Sequence, residues 1–213
     1  MDTTTTGKDI IKAMNWRYAG KIFDATKIIT DEELHTVLEA GRLSPSVFGL
    51  EPWQFILVNN KDTRKKLREA SYGQPKVTDA SHLVIIATRT DPTNVVDEHV
   101  KRTADSQGKT VEDLKGFNDM LLGALTQHGD KAVNWLTRQS YIPLGIMIET
   151  AALLGIDSGP MEGFNADQVD EILGLKEKNL HATTILALGH RGDDPYLKVP
   201  KVRKSFEEAV TMI

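Results

Sequence analysis

The stretch of residues 94–154 constrains the fold most, because it carries few helix breakers and repeats its apolar residues at helical spacing. It predicts two or three consecutive helices, divided near Gly108 and Gly129, with Pro143 as a further candidate division. Its last part, residues 142–154, is almost wholly apolar, so we expect that helix to be buried on most sides. The sequence leaves open whether this helix is buried in the core, in a dimer contact or in both.

Three short segments between the helical patterns have the composition of β-strands. Residues 83–88 are the strongest candidate, because they contain the longest apolar run of the chain, which is typical of a buried strand. Residues 54–58 and 183–188 are weaker candidates of the same kind. Helices outnumber these strands, and the strands are interspersed among the helices, so the sequence predicts an α+β fold.

Capping residues mark where several helices begin. Thr6, Thr30 and Asn165 each precede an apolar pattern of helical spacing, as N-cap residues do. A charged helix is expected at residues 62–71. Residues 44–53 contain two prolines, which remove amide donors, and therefore predict an irregular segment.

Length and charge exclude several classes of protein. A chain of 213 residues with 40% hydrophobic residues predicts one globular domain spanning residues 1–213. The net charge of −4 gives no basic face for nucleic acid. No apolar run approaches the ~18 residues of a membrane span, so we expect no membrane partner. The N-terminus lacks the apolar core of a secretory signal, so we expect a cytoplasmic protein.

The inventory of reactive side chains is also limiting. The chain contains no cysteine, which excludes disulfides, thiolate metal sites and a cysteine nucleophile. Its six histidines do not show metal-ligand spacing, so no metal site is expected. The glycine patterns of a dinucleotide-binding fold and of a P-loop are absent, as is the serine elbow of a hydrolase.

Three segments combine unusual backbone chemistry with charge. The first places Arg17 and Lys21 four residues apart, so both cations could face one anion, although this spacing by itself is more typical of a solvated basic loop. The second, residues 158–164, contains two glycines and a proline and predicts exposed backbone amides or a turn between helices. The third places Lys201 and Arg203 on one side of an extended chain, as in a phosphate clamp or in a solvated tail. These residues alone indicate an α+β enzyme or a binder of an anion.

Five segments taken together resemble the FMN-dependent nitroreductase family, which includes NAD(P)H nitroreductases and flavin reductase-like proteins. They stand in the order and spacing of that family along nearly the whole chain. The segments are RYAGKIFD at 17–24, SPSVFGLEPWQF at 44–55, GQPKVTDASH at 73–82, AALLGIDSGPMEGF at 151–164 and GHRGDDPYLKVPKVR at 189–203.

The resemblance implies a fold, a cofactor and a reaction. The fold would be α+β, with a central, mostly antiparallel sheet surrounded by helices, and the protein would be a homodimer with FMN at the subunit interface. NAD(P)H would reduce the flavin by hydride transfer to N5, and a nitroaromatic, a quinone or a related acceptor would reoxidise it in a ping-pong cycle. Two alternatives are a specialised enzyme on the same scaffold, such as a reductive dehalogenase, and a flavin-binding protein of low turnover.

The resemblance also assigns roles to single residues. Arg17, Lys201 and Arg203 would hold the flavin phosphate, while Lys21 and Lys76 would lie near the pyrimidine edge of the ring and tune its electrostatics. No side chain is assigned as catalytic, because FMN carries the chemistry. The other residues expected to contact FMN are Tyr18, Ala19, Ser44, Pro45, Ser46, Val47, Gly49, Gly73, Gln139, Pro160, Met161, Glu162 and Gly163.

Some positions depart from the family pattern. Ala19 stands where many relatives carry serine, Val47 where they carry serine, and Gly49 and Gly73 where they carry asparagine. These changes affect the contacts to the ring rather than the fold. The resemblance is weakest in residues 94–129, which would shape the substrate pocket, so it does not indicate the physiological electron acceptor.

Overall fold

A computed structural model describes residues 5–213 of the chain. Within them, four strands form one antiparallel sheet, in the spatial order β1-β2-β4-β3. The strands are β1 (Trp53–Leu57), β2 (His82–Arg89), β3 (Asp157–Met161) and β4 (Leu180–Gly189).

Helices precede, separate and follow the strands. They are α1 (Gly7–Trp16), α2 (Asp31–Arg42), α3 (Lys61–Ala70), α4 (Lys76–Asp79), α5 (Pro92–Gln107), α6 (Lys115–His128), α7 (Ala132–Gln139), α8 (Tyr141–Leu153), α9 (Ala166–Leu173) and α10 (Phe206–Ala209). None of the helices in residues 5–213 combines the length and the apolar character needed to cross a bilayer.

The central strands β2 and β4 are buried on both faces. Leu83 pairs with Ala187 and Val84 with Leu186, and successive residues point to opposite faces of the sheet. The face of Leu83 packs in one core cluster, and the face of Val84 packs in a second cluster together with residues of α2 and α8. Burial on both faces explains why this strand is a continuous apolar run rather than an alternating one.

The capping residues act as predicted. The Thr6 and Thr30 side chains each accept a hydrogen bond from the amide three residues on and complete capping boxes with Asp9 and Glu33. The Asn165 side chain accepts from the Gln168 amide at 3.1 Å. These predictions are confirmed because a cap depends on residues that are adjacent along the chain.

The helical stretch is divided differently from the prediction. Residues 92–153 form four α-helices, α5 to α8, and the last division lies at Ser140 rather than at Pro143. Pro143 lies in the first turn of α8, where backbone amides have no partner within the helix, so its missing N–H costs nothing. Helices α5, α6 and α7 enclose a third core cluster that contains Val96, Leu121 and Leu136.

The expectation of exposed backbone amides at residues 158–164 is wrong for the first half of that segment. Residues up to Met161 belong to β3, and Ser158 and Gly159 are buried. Pro160 interrupts the apolar pattern that marks a strand, but it is tolerated here because β3 is an edge strand. Only Glu162 and Gly163 are exposed.

Candidate functional site

The segment after α1 is fixed against the edge strand β3. Arg17 caps α1 in an extended conformation, so the chain leaves the helix and runs beside Ser158. Ala19 forms an isolated parallel bridge with Ser158, and the Gly20 amide donates to the Ser158 carbonyl at 3.0 Å. Two of the segments singled out in the sequence therefore lie side by side.

A close approach of backbones at Gly159 brings in a third segment. A Cβ atom at this position would lie 2.7 Å from the Gly20 carbonyl oxygen, so any side chain would push the two backbones apart. The same Cβ would lie 3.3 Å from Cδ of Lys76, which shows that the Lys76 chain passes over this contact. Lys76 is 8% exposed.

Lys76 and Lys21 share one electrostatic environment. Burial lowers the pKa of the Lys76 ammonium, and the charge of Lys21 lowers it further. The Lys21 ammonium lies 3.4 Å from the centre of the Tyr196 ring, which gives it a cation–π contact. Neither lysine forms an ion pair with a carboxylate among residues 5–213.

A second group of cations comes from both ends of the chain. Burial lowers the pKa of Arg17, and the charge of Arg203 lowers it further. Burial also lowers the pKa of Lys201, followed by the charges of Arg17, Arg203 and Arg191. The Nε atom of Arg17 is buried and has no hydrogen-bond partner within the described residues. The charge of Arg203 thus acts on both Arg17 and Lys201, and that of Arg17 acts on Lys201, so the three cations lie near one another.

The two C-terminal cations do not form the parallel pair that their spacing suggests. The Lys201 ammonium turns to the end of α1, where it donates to the carbonyls of Met14 (3.2 Å) and Asn15. The Arg203 guanidinium donates to the Val202 carbonyl at 2.7 Å. Lys201 is attracted to these carbonyls because the C-terminal end of a helix carries partial negative charge.

A cleft of 560 Å³ separates the segment after α1 from the C-terminal tail. It is the place where the first and third sequence segments face each other. Its lining includes Trp16, Tyr18, Ala19, Lys21, Arg191, Tyr196 and Lys201.

Two buried carboxylates that the sequence reasoning missed organise this cleft. Asp157 is 3% exposed and accepts from Arg191 at its amide (2.9 Å) and its Nε (2.7 Å), which holds the guanidinium 4.1 Å from the Trp16 ring centre. Asp194 is 2% exposed and accepts from the Tyr18 hydroxyl and the Lys21 amide. Burial raises the pKa of Tyr18, and the bond to Asp194 raises it further. The only sequence signal was an aspartate before Pro195, a common N-cap pattern.

The loop before α4 is joined to the end of β3 by Gln74. Its side-chain amide donates to the Gly163 carbonyl at 2.7 Å, which places Gln74 beside Gly163. Gly73 has a φ of 73°, a left-handed conformation that glycine adopts without steric cost. Met161, in contrast, is buried in the core, so only its backbone could face a ligand.

The exposed acid of this region faces a tyrosine. Burial raises the pKa of Tyr141, and the neighbouring Glu162 carboxylate raises it further. Glu162 therefore lies beside the start of α8. Among residues 5–213, no group of three or more acidic or histidine side chains could hold a metal ion.

The proline-containing segment at residues 44–49 is tied to α7 instead. The Val47 amide donates to Oε1 of Gln139 at 2.9 Å, and the Ser46 hydroxyl accepts from the Glu51 amide at 2.8 Å. Ser44 is buried and Pro45 exposed. No hydrogen bond of the described residues connects this segment with Lys21 or Lys76 of the same chain.

Comparisons with known proteins agree on one family. A model described as the nitroreductase family matches residues 14–190. A Staphylococcus epidermidis protein provisionally named NAD(P)H nitroreductase SERP2086 is 40% identical over 216 residues, covering 96% of each chain. The provisionally named NAD(P)H nitroreductase YfkO of Bacillus subtilis is 36% identical over 223 residues, covering 96% of this chain and 97% of the relative.

Solved structures share the fold at lower sequence identity. The nitroreductase ydfN of Bacillus subtilis superposes with a TM-score of 0.85 at 21% identity, covering 98% of this chain and 100% of the neighbour. A provisionally named nitroreductase of Exiguobacterium sibiricum, solved in complex with FMN, gives a TM-score of 0.78 at 21% identity, covering 100% of this chain and 99% of the neighbour. The predicted α+β fold with an antiparallel sheet and surrounding helices is confirmed.

Proposed function

The chain belongs to the nitroreductase family, and on that premise we propose that it is an FMN-dependent NAD(P)H oxidoreductase that acts as a homodimer. The relatives that share more than a third of its sequence carry NAD(P)H nitroreductase names, and one structural neighbour was solved with FMN. Nitroaromatics, quinones and related compounds are the electron acceptors we propose.

The observation that carries the proposal is the convergence of Arg17, Lys201 and Arg203 without a matching carboxylate. The charge of Arg203 lowers the pKa of Arg17, and the charges of Arg17 and Arg203 lower the pKa of Lys201, which shows that their proximity costs free energy in the absence of an anion. Arg17 also leaves a buried Nε donor unsatisfied. A phosphate dianion would satisfy both the charge and the donor, because a guanidinium matches phosphate oxygens in geometry.

The other end of the cleft fits a flat, electron-accepting ring. Because Gly159 has no side chain, the Gly20 backbone packs directly on β3, with the Lys76 chain over this contact, which brings the segment that carries Lys21 close to Lys76. Lys21 and Lys76 would stabilise negative charge at the pyrimidine edge of the ring, and a cation 4 Å away contributes ~4 kcal/mol at an effective dielectric constant of ~20. The edge formed by Pro160, Glu162 and Gly163 would offer backbone groups to the ring.

FMN, when bound, would supply the electron chemistry by accepting two electrons from NAD(P)H and passing them to an acceptor in a separate half-reaction. The protein residues bind and orient it and exclude side reactions. Within residues 5–213, no hydrogen bond joins Ser44, Ser46, Val47 or Gly49 to Lys21 or Lys76, which supports our proposal that they line the site of the partner subunit. Gln139 would position that segment through its bond to Val47.

The absorption spectrum of the purified protein tests the cofactor, and anaerobic mixing with NADH or NADPH tests the reaction. We expect flavin bands, uptake of one FMN per chain by any cofactor-free fraction, and loss of the yellow colour on adding one of the reductants. A colourless protein that refuses FMN would contradict the proposal. Tight FMN binding without bleaching would instead indicate a flavin-binding protein of low turnover.

A further inference from the structure

The Asp194 carboxylate lies between the two cation-bearing segments. Its Oδ2 accepts from the Tyr18 hydroxyl and from the amides of Lys21 (3.1 Å) and Ile22 (3.2 Å). Its Oδ1 accepts from the amide of Tyr196 at 3.0 Å. One oxygen therefore holds the segment after α1, and the other holds the start of the C-terminal tail.

This carboxylate is buried without an ion-pair partner among residues 5–213, although the surrounding region is rich in cations. Burial alone would raise the pKa of Asp194, but the bonds from Tyr18 and three backbone amides lower it below its ordinary value. A charge held this way is expensive unless every lone pair is used. The free-energy cost of burying this charge indicates that Asp194 has a role beyond packing.

The bonds of Asp194 oppose the repulsion between the phosphate-site cations. Arg17 directly precedes the bonded Tyr18, and Lys201 lies five residues after the bonded Tyr196. Arg17, Lys201 and Arg203 repel one another when no anion lies between them, and this repulsion contributes to the lowered pKa values of Arg17 and Lys201. Without a link between the two segments, this repulsion would favour an open tail.

We propose that Asp194 is a positioning residue that holds the N-terminal and C-terminal halves of the phosphate site together before the ligand arrives. The inference rests on the proposed function, since the phosphate is that of FMN. Asp194 does not contact the ligand in this account. It holds the tail with Lys201 and Arg203 in place, so less conformational entropy is lost when the phosphate binds. Binding of FMN is therefore strengthened more than binding of a flavin without phosphate.

The test compares Asp194→Asn with Asp193→Asn for binding of FMN and of riboflavin, which lacks the phosphate. Asparagine keeps the size of the side chain, but it directs an NH₂ group at one set of donors and so breaks one side of the link. Asp193 is the exposed neighbour and serves as the matched control. We expect Asp194→Asn to raise the Kd for FMN by ~10- to 100-fold, which corresponds to the loss of one hydrogen bond to a charged group. The Kd for riboflavin should change less than about threefold.

Flavin fluorescence quenching in the cofactor-stripped full-length protein gives both constants. If Asp194→Asn binds FMN as tightly as wild type, or if both flavins weaken by the same factor, the inference is wrong. Tyr18→Phe is the milder variant should Asp194→Asn fail to fold, because it removes one donor and keeps the carboxylate; it should also weaken FMN more than riboflavin. Wild-type protein that binds neither flavin would contradict the proposed function itself.

Discussion

The cations of the candidate site have few free carboxylates beside them. Lys21, Lys76 and Arg17 lie beside other cations, while the nearby carboxylates Asp157 and Asp194 are occupied by other donors. Ordinary surface cations pair with carboxylates or face water. Lys76 is buried without a carboxylate partner among the described residues, and Arg17 keeps a buried Nε without one, which fits the ligand site that we propose; each cation can be tested separately.

Arg203→Ala is predicted to weaken FMN binding. Removing one guanidinium from the phosphate site should raise the Kd about 10- to 100-fold, and the dependence of binding on salt should decrease. Fluorescence titration at low and high salt measures both effects. Lys204→Ala, one position further along the exposed tail, is the control and should bind as wild type. Equal binding by Arg203→Ala would remove this residue from the site.

Lys21→Ala is predicted to leave FMN bound and to make it harder to reduce. The variant removes a positive charge from the proposed pyrimidine edge, so the midpoint potential should fall by at least ~30 mV, the equivalent of ~1.4 kcal/mol for two electrons. Spectroelectrochemistry measures the potential. Lys12→Ala on the exposed side of α1 should leave it unchanged. An unaltered potential in Lys21→Ala would show that this charge is remote from the ring.

Lys76 is predicted to make the stability of the FMN-free protein depend on pH. Its pKa in the folded state is lowered by burial and by Lys21, so the unfolded chain binds more protons between that pKa and the ordinary 10.5. Stability contributed through Lys76 therefore increases as pH rises through this window. Urea unfolding at pH 8 and pH 10 should show wild type gaining stability relative to Lys76→Met. A constant difference between the two proteins would contradict the assignment.

At the scale of elements, the segment between α2 and β1 is held in a strained conformation. Phe48 and Glu51 have φ values of 50° and 47°, in the left-handed region that side chains rarely adopt. Two side chains hold it by accepting hydrogen bonds from backbone amides. Ser46 accepts from Glu51 within the segment, and Gln139 on α7 accepts from Val47. The Phe48 ring also lies edge-on to the ring of Trp135, which is on α7 like Gln139. Helix α7 therefore determines the shape of a segment that we propose to face the partner's flavin.

Gln139→Leu is predicted to destabilise the protein by about 1–3 kcal/mol, because the part-buried Val47 amide loses its acceptor. Chemical unfolding followed by circular dichroism measures this loss. Arg138→Ala changes the exposed neighbour on α7 and should have an effect within about 0.5 kcal/mol. If the two variants are equally stable, the bond from Val47 does not brace the segment.

For the whole molecule, exposed apolar side chains indicate where copies of the chain would associate. Helix α8 packs its Leu144 and Met147 side chains into the core, yet Ile142, Leu153 and Leu154 remain exposed. The tail exposes further apolar residues, including Phe206 at 70%. Apolar side chains exposed on both a helix and a tail are typical of a surface that another chain covers. Residues 142–154 therefore contribute to the core of the chain, as one of the two expected roles required, and their role in a dimer contact stays a prediction.

We predict that the protein sediments at twice its chain mass of 23.6 kDa. Analytical ultracentrifugation over a wide concentration range gives the mass directly. A charge placed in the proposed contact, as in Leu154→Glu, should shift the equilibrium to the monomer and weaken FMN binding together with it. Glu149→Lys, on α8, whose C-cap is Leu154, is a charge-changing comparison. Wild-type protein that stays monomeric at all concentrations would contradict the homodimer.

Much of the fold could be predicted because its signals are local. A cap such as Thr30 depends on residues three positions away, and a strand buried on both faces, such as β2, must be apolar throughout. The resemblance of five segments identified the family for the same reason, since each segment is read along the chain. Strand β3 was missed because glycine and proline obscure the pattern of a strand, and its edge position, which permits them, is not visible in the sequence.

Only the tertiary structure decided which charges meet. Arg17 and Arg203 are separated by most of the chain, and Lys201 turned to the carbonyls of α1 instead of lying parallel to Arg203. Asp194 gave no signal beyond a common capping pattern, although it joins the two halves of the cleft. Sequence patterns record which side chains share an element, whereas electrostatic energy depends on distances in space, and the folded chain sets those distances.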